Sequence, residues 1–372
     1  MLFGGLLCGY FSDKIGRRPC LIYSLGLNTA AGLASACVPN VQWLIFCRVV
    51  GGVGIGGSVP VVFSLGAEIF PSHVRGKLLS LIASFWMVGA IFTSAAAWVM
   101  LGDSPSGERI IPHLGWQWFA AVSALPALSA LVLAICYVPE SPTFLFEKGQ
   151  FDAAAAVLEY LAGFRVDPHD LVPKQRGGVS VSDFNKKDEN NKLLFDASAS
   201  ASSSRHAYLW ARYVPHSFLI LFQEELLKTT VVLLVIWFTL CYGSYGISTW
   251  ISELFVDVGI ANAYLASFIF ALANLPGNVV AYYTIEVYGR RRLLSYGMSL
   301  AGVAAIMFAL NPKNAVVVVT CASLFNAASV VGWNSLDCLS VESFPTGARG
   351  SAMGVLASAG RIGRWILQLA TN

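Results

Sequence analysis

Apolar residues along this chain fall in long runs separated by short polar turns. Neither the two-residue alternation of a half-buried strand nor the narrow stripe of a soluble amphipathic helix is present in them. A helix crossing a bilayer needs about 20 apolar residues. Runs of that order occupy 19–38, 41–67, 78–101, 115–138, 229–251, 260–283, 293–310, 315–341 and 351–370, with a shorter one at 1–11. The pattern predicts an all-α membrane protein with about ten transmembrane helices. The first run opens at Met1 without a polar lead and the last reaches Asn372 without a basic tail, so both ends read as cut. After 138 the pattern stops. Pro139-Glu140-Ser141-Pro142-Thr143 is followed by an amphipathic stretch to about Phe164, then by polar sequence ending in Ser/Ala low complexity at 197–204. Such composition cannot bury enough apolar surface to order itself. The expected organisation is a helical bundle over 1–138, a partly disordered linker over 139–228 and a second bundle over 229–372.

The polar turns repeat. Asp13-Lys-Ile-Gly16-Arg17-Arg18 returns as Glu286-Val-Tyr-Gly289-Arg290-Arg291 at an offset of 273 residues. Glu68-Ile-Phe-Pro, ending in Arg75-Gly76, returns as Glu342-Ser-Phe-Pro, ending in Arg349-Gly350, at an offset of 274. Two unrelated motifs sharing nearly one offset predict two pseudo-symmetric halves, and parallel repeats of this kind are a known architecture of secondary transporters. Asp13, Arg17, Arg18, Glu68 and Arg75 are expected to form one charged gating cluster, mirrored by Glu286, Arg290, Arg291, Glu342 and Arg349. Read as exposed ion pairs, these contacts are worth only about 0–1 kcal/mol each, which suits a latch that breaks in every cycle.

Composition agrees with the pattern. Apolar types make up 56% and charged types 12% of 372 residues, about half the charged share of a soluble domain. Charge distribution sets the orientation. The turns at 12–18, 68–77, 139–228, 284–292 and 342–350 hold nineteen of the 24 Lys and Arg, so they are expected on the cytoplasmic side. The eight cysteines lie in apolar runs without metal-ligand spacing and read as small packing residues.

Several polar and aromatic residues fall inside the runs. Arg48 precedes the glycine run 51–57, and an intramembrane arginine marks a polar cavity by default. Trp86 lies too deep for an interfacial belt. Tyr242-Gly-Ser-Tyr245-Gly246 is expected to bend or unwind its helix near mid-membrane, and Leu275-Pro-Gly-Asn278 to do the same in the next. Trp333, Asn334 and Asp337 share one helical face. The expected substrate site therefore lies between the bundles, lined by Trp86, Tyr245, Trp333, Asn334 and Asp337, with Arg48 as the polar marker on the first half. Asp337 has no cation three or four residues away, which favours cationic or hydroxyl-bearing ligands. Its place near Glu342 leaves a role in the cytoplasmic latch as the alternative.

These motifs, together with Gly9-x-x-x-Asp13, Arg48-x-x-x-Gly52 and Pro139-Glu140-Ser141-Pro142, resemble the major facilitator superfamily. Cys47-Arg48, Phe85-Trp86-Met87, Trp237-Phe238-Thr239, Leu275-Pro276-Gly277-Asn278 and Gly332-Trp333-Asn334-Ser335-Leu336-Asp337 resemble its synaptic vesicle glycoprotein 2 group. The resemblance covers nearly the whole chain except 165–228. It implies twelve helices in two six-helix bundles, of which ten are present, and alternating access with the charged turns as the latch. It also supports the aromatic residues and Asp337 as site residues. Two departures stand out. Only about 252–259 joins the helices where that group carries a glycosylated lumenal domain, and the chain has no Asn-x-Ser/Thr sequon. Tyr282 and Glu286 replace the first glycine and the aspartate of the motif in the second half, which weakens the second latch.

The resulting expectation is a secondary transporter of a small polar solute, sugar-like or an organic ion, with a proton or cation as the candidate coupling ion. The alternative is a trafficking or ligand-binding membrane protein of the same fold. Neither a P-loop nor a nucleophile elbow is present, so an enzyme is not expected, and neither cofactor, metal nor nucleic acid is implied. The expected location is the plasma membrane or an intracellular vesicle membrane, with the bilayer itself as a partner.

Overall fold

The computed structural model describes residues 1–71, 73–101, 115–162, 216–257, 268, 270–311 and 315–371. All regular elements among them are helices: α1 (Leu2–Ile15), α2 (Arg17–Ala36), α3 (Val41–Ile69), α4 (Arg75–Leu101), α5 (Trp116–Tyr137), α6 (Pro142–Glu147), α7 (Phe151–Ala162), α8 (His216–Leu221), α9 (Glu224–Asp257), α10 (Asn274–Tyr288), α11 (Arg290–Leu310), α12 (Ala315–Glu342) and α13 (Thr346–Thr371). Six of them (α3, α4, α5, α9, α11 and α12) are long and apolar enough to cross a membrane. The amphipathic stretch after 138 forms α6 and α7, with Ser141 capping α6 by accepting the Phe144 N–H at 3.2 Å. The polar sequence expected to be disordered, and most of the outer loop at 252–259, lie outside the residues whose side chains are described.

Gly16 and Gly289, equivalent under the repeat, both break the chain between two helices, at φ 117° and φ 80°. With ψ near 160° this is backbone that only glycine adopts at low cost, so each turn reverses direction at the one residue able to do so. The first half packs α2 against α3 and α5, and α1 against α3; the second packs α11 and α10 against α12, and α9 against α13. The halves meet along two seams, α1 on α13 and α4 on α10. Under the offset, α1 corresponds to α10 and α4 to α13, so the repeat operation exchanges the two seams. That is the signature of a pseudo-twofold axis relating the bundles.

Small residues bring the first seam close. A Cβ on Gly9 would lie 3.2 Å from the Gly354 Cα and would collide with the Gly350 backbone. Such close backbone approach is how membrane helices associate where water gives no hydrophobic drive. The main buried cluster crosses between the halves, joining Phe63, Ala67 and Leu79 to Ile285, Leu336, Val341, Met353 and Leu356. A smaller one (Cys20, Leu21, Val61, Leu65, Ala134) belongs to the first half.

Two expectations change. The Tyr242–Gly246 stretch does not unwind: α9 runs unbroken through it. Backbone groups in a bilayer have no water to turn to, so even a glycine-rich segment keeps its helical bonds. The second break falls at Ala273, just before α10, which places Pro276 in the first turn of that helix, where its missing N–H costs nothing. The run expected as a span at 260–283 is described only in part, and its helical end extends to Tyr288.

Candidate functional site

The charged turns gather at one end of the seams. Arg17 has no solvent exposure. Its guanidinium forks onto Glu68, with Nε 3.0 Å from Oε2 and Nη2 3.0 Å from Oε1. It lies 3.5 Å from Asp13, donates to the Thr346 carbonyl of the other half at 2.9 Å, and sits over the Phe144 ring. Glu140 accepts the N–H groups of Arg17 and Arg18 at 2.9 and 3.2 Å, placing a carboxylate on the N-terminus of α2. Arg18 reaches the Ile135 carbonyl of α5.

Two bonds carry this cluster across the first seam. Asp13 accepts the Ser351 N–H at 2.8 Å, its hydroxyl at 2.7 Å and the Gly350 N–H at 3.2 Å. Arg349 pairs with Glu68 at 3.2 Å while its other nitrogens satisfy the Val341 and Phe344 carbonyls at the end of α12. The Asp13 and Glu68 side chains are as sealed as Arg17, at 0–1% exposure. These are therefore buried ion pairs, in contrast to the exposed latch expected from sequence, and removing one partner of such a pair costs about 3–5 kcal/mol.

The mirror cluster is built more loosely. Arg290 pairs with Glu286 at 2.7 Å and with Glu342 at 3.0 Å, with side chains 18–25% exposed. Glu286 stands where a side chain on Gly76 would go, as Asp13 does for Gly350. Arg75, the mate of Arg349, makes no ion pair among the described residues, and its Nε is buried without a partner. No ion pair is formed by Arg291 either.

Farther along the second seam, Asn334 donates to the Asn278 Oδ1 at 2.9 Å, and the Ser84 hydroxyl reaches the same oxygen at 3.1 Å. This polar chain ties α12 and α10 to α4. Its counterpart on the first seam is Ser358, the repeat mate of Ser84, donating to the Leu2 carbonyl at 3.1 Å.

The expected site residues fall into separate places. Trp333 is part-buried and packs edge-on against Trp237, whose Nε1 donates to Ser340. Asp337, 9% exposed, makes no hydrogen bond or ion pair among the described residues. Arg361 of α13 is the charged side chain whose field reaches it. Tyr245 lies under the Arg364 guanidinium, 4.5 Å from it. Asn334 faces Asn278 rather than an open space. Trp86, on the face of α4 that continues from Leu79 and Ala83, is 52% exposed and does not meet the other rings; Arg48 is also exposed. Sequence reasoning assigned no role to Arg361 and Arg364, because their partners lie on other helices. Their position inside an apolar run was the available signal. Three metal-ligating side chains come together nowhere among the described residues.

Two like bundles, an interface of paired seams and charged turns at one end define a transporter fold. The chain belongs to the sugar (and other) transporter family, whose model matches residues 1–372. Synaptic vesicle glycoprotein 2A of Rattus norvegicus is 25% identical, with 96% of this chain and 64% of the relative aligned. Synaptic vesicle glycoprotein 2C of Homo sapiens is 31% identical over 68% of this chain and 35% of its own. The chain thus spans just under two thirds of the length of the 2A relative. Among solved structures, the proton:xylose symporter XylE bound to 6-bromo-6-deoxy-D-glucose superposes with a TM-score of 0.73 at 20% identity, over 100% of this chain and 75% of XylE. The inward open conformation of XylE from E. coli gives 0.60, again at 20% identity, over 99% and 75%. The fold is that of the major facilitator superfamily.

Proposed function

We infer that this chain forms the helical core of a secondary transporter that moves a small polar solute by alternately opening its two ends. The observation that carries the reading is the buried bond set across the first seam, Asp13 to Ser351 and Arg349 to Glu68. These bonds join two otherwise self-contained bundles at one end only. Breaking them is the step that would release that end, and the halves would then pivot about the seams. In this reading the charged end is cytoplasmic, 139–228 is the linker between bundles 1–138 and 229–372, and the solute site lies at Trp333 and Asp337. A proton or cation is the coupling species to test.

The family and the sugar ligand named for XylE support a small-molecule substrate. The synaptic vesicle relatives support a second reading, a vesicle-membrane protein of the same fold in which binding, not transport, is the function. Reconstitution separates the two. The protein is placed in liposomes preloaded with unlabelled sugars or organic ions, and counterflow of the labelled solute is followed. Saturable counterflow supports transport, whereas saturable binding without counterflow across the panel would support the second reading.

A further inference from the structure

The open polar face of the second half carries more positive than negative charge. Arg361 and Arg364 stand three residues apart on α13, both part-buried, in a helix that contacts α9 on one side and α1 on the other. Gly360 and Gly363, beside them, are the points where α13 meets Trp237, Phe238 and Cys241 of α9. Cys241 lies within the field of Arg361, Arg364 and Asp337 together, which places all three on one wall. Asp337 is the carboxylate there, and no ion pair of 4 Å or less joins it to either arginine. Neither arginine makes a hydrogen bond or ion pair among the described residues, apart from the stacking of Arg364 on Tyr245.

Depth rules out simple escape to the membrane surface. Arg361 is fifteen residues from the start of α13, about 22 Å along the axis at 1.5 Å per residue. Helical side chains lean toward their own N-terminus, so both arginines lean back toward the charged end of the seam, away from the nearer surface. Asp337, on the antiparallel α12, leans the opposite way and toward them. Even if Arg361 is credited to Asp337, one guanidinium remains within an apolar span, where an unpaired arginine costs several kcal/mol.

We propose that this wall binds an organic anion, a flat monocarboxylate whose carboxylate is held by Arg361 and Arg364 and whose body lies along Trp333. The proposal deepens the transport reading and rests on it only for the movement of the anion, not for its binding. A guanidinium offers a planar fork of donors that matches a carboxylate in two parallel bonds. Stacking on Tyr245 fixes the plane of Arg364 and leaves its edge free to donate. The ring of Trp333, held edge-on by Trp237, supplies the apolar surface such a ligand needs. The sequence alone pointed to cations because it showed Asp337 without its neighbours. With two arginines beside it, Asp337 holds Arg361 in place and repels a second anion.

The test uses three isosteric probes on the purified full chain in nanodiscs: labelled benzoate, with benzamide and benzylammonium as neutral and cationic competitors. Benzoate should bind saturably and resist displacement by a tenfold excess of either competitor. Arg361→Gln and Arg364→Gln should each weaken it at least tenfold. Arg364→Lys, which keeps the charge and loses the fork, should fall between, and it answers the question alone if the glutamine variants do not fold. Asp337→Asn should leave benzoate binding unchanged or tighter. Displacement by benzylammonium, loss of binding in Asp337→Asn, parent-like binding in the arginine variants, or no benzoate binding would each overturn the proposal. Uptake is read separately: benzoate that binds but does not enter liposomes supports the anion site and counts against transport.

Discussion

The carboxylate of Asp13 takes both the backbone N–H and the hydroxyl of Ser351, at 2.8 and 2.7 Å, across 338 residues of sequence. Hydrogen bonds to a charged group contribute about 1.5–3 kcal/mol, enough to hold one end of the molecule shut and still yield to a ligand. Asp13→Ala should move the balance toward the state open at that end by tenfold or more. Labelling of a reporter cysteine at Ser351 measures it; an unchanged rate would remove Asp13 from the latch.

Arg17 and Arg290 are equivalent in the repeat but unequal in energy. Arg17 is sealed against Glu68 and Asp13, whereas Arg290 keeps 18% of its side chain exposed. Arg17→Met should destabilise the protein by about 3–5 kcal/mol, and Arg290→Met by about 0–1 kcal/mol. Thermal unfolding of the two variants in the same detergent compares them directly. Equal losses would contradict the asymmetry.

Close approach of α1 and α13 depends on Gly354, where a Cβ would collide with the Gly5 carbonyl. Gly302, by contrast, has nothing within 4 Å of that position. Gly354→Leu should separate the first seam and raise labelling at its charged end, while Gly302→Leu should leave folding and labelling as in the parent.

Asn278 supplies one oxygen to both Asn334 and Ser84. Asn278→Ala leaves the buried Asn334 amide without that partner, at a cost of about 1–3 kcal/mol. Adding Asn334→Leu should recover part of the loss. A double-mutant cycle reads the coupling, and strictly additive losses would mean that the bond contributes nothing to the seam.

The repeated motifs made much of this legible in the sequence. One offset paired Gly16 with Gly289, and both prove to be positive-φ breaks. The apolar runs located the helices because a bilayer demands length and apolarity above all. Contacts between helices were not legible. The spacing of Asp337 shows only its own helix, so Arg361 could not be matched to it. Arg75 and Arg349 are repeat mates, yet only Arg349 finds a carboxylate, because Arg290 already occupies Glu342. Tyr242–Gly246 reads as flexible by composition, but the bilayer enforces its backbone bonds.

The central claim is that the charged end of the first seam opens and closes. Spin labels introduced through non-natural amino acids at Lys14 and Gly347, on the two sides of that seam, leave the eight native cysteines in place. Pulsed electron resonance on the protein in nanodiscs then gives the distance distribution between α1 and α13. The account predicts two populations, a short one matching the closed seam and a longer one that grows in Arg349→Ala. A single short distance, the same in parent and variant, would contradict it.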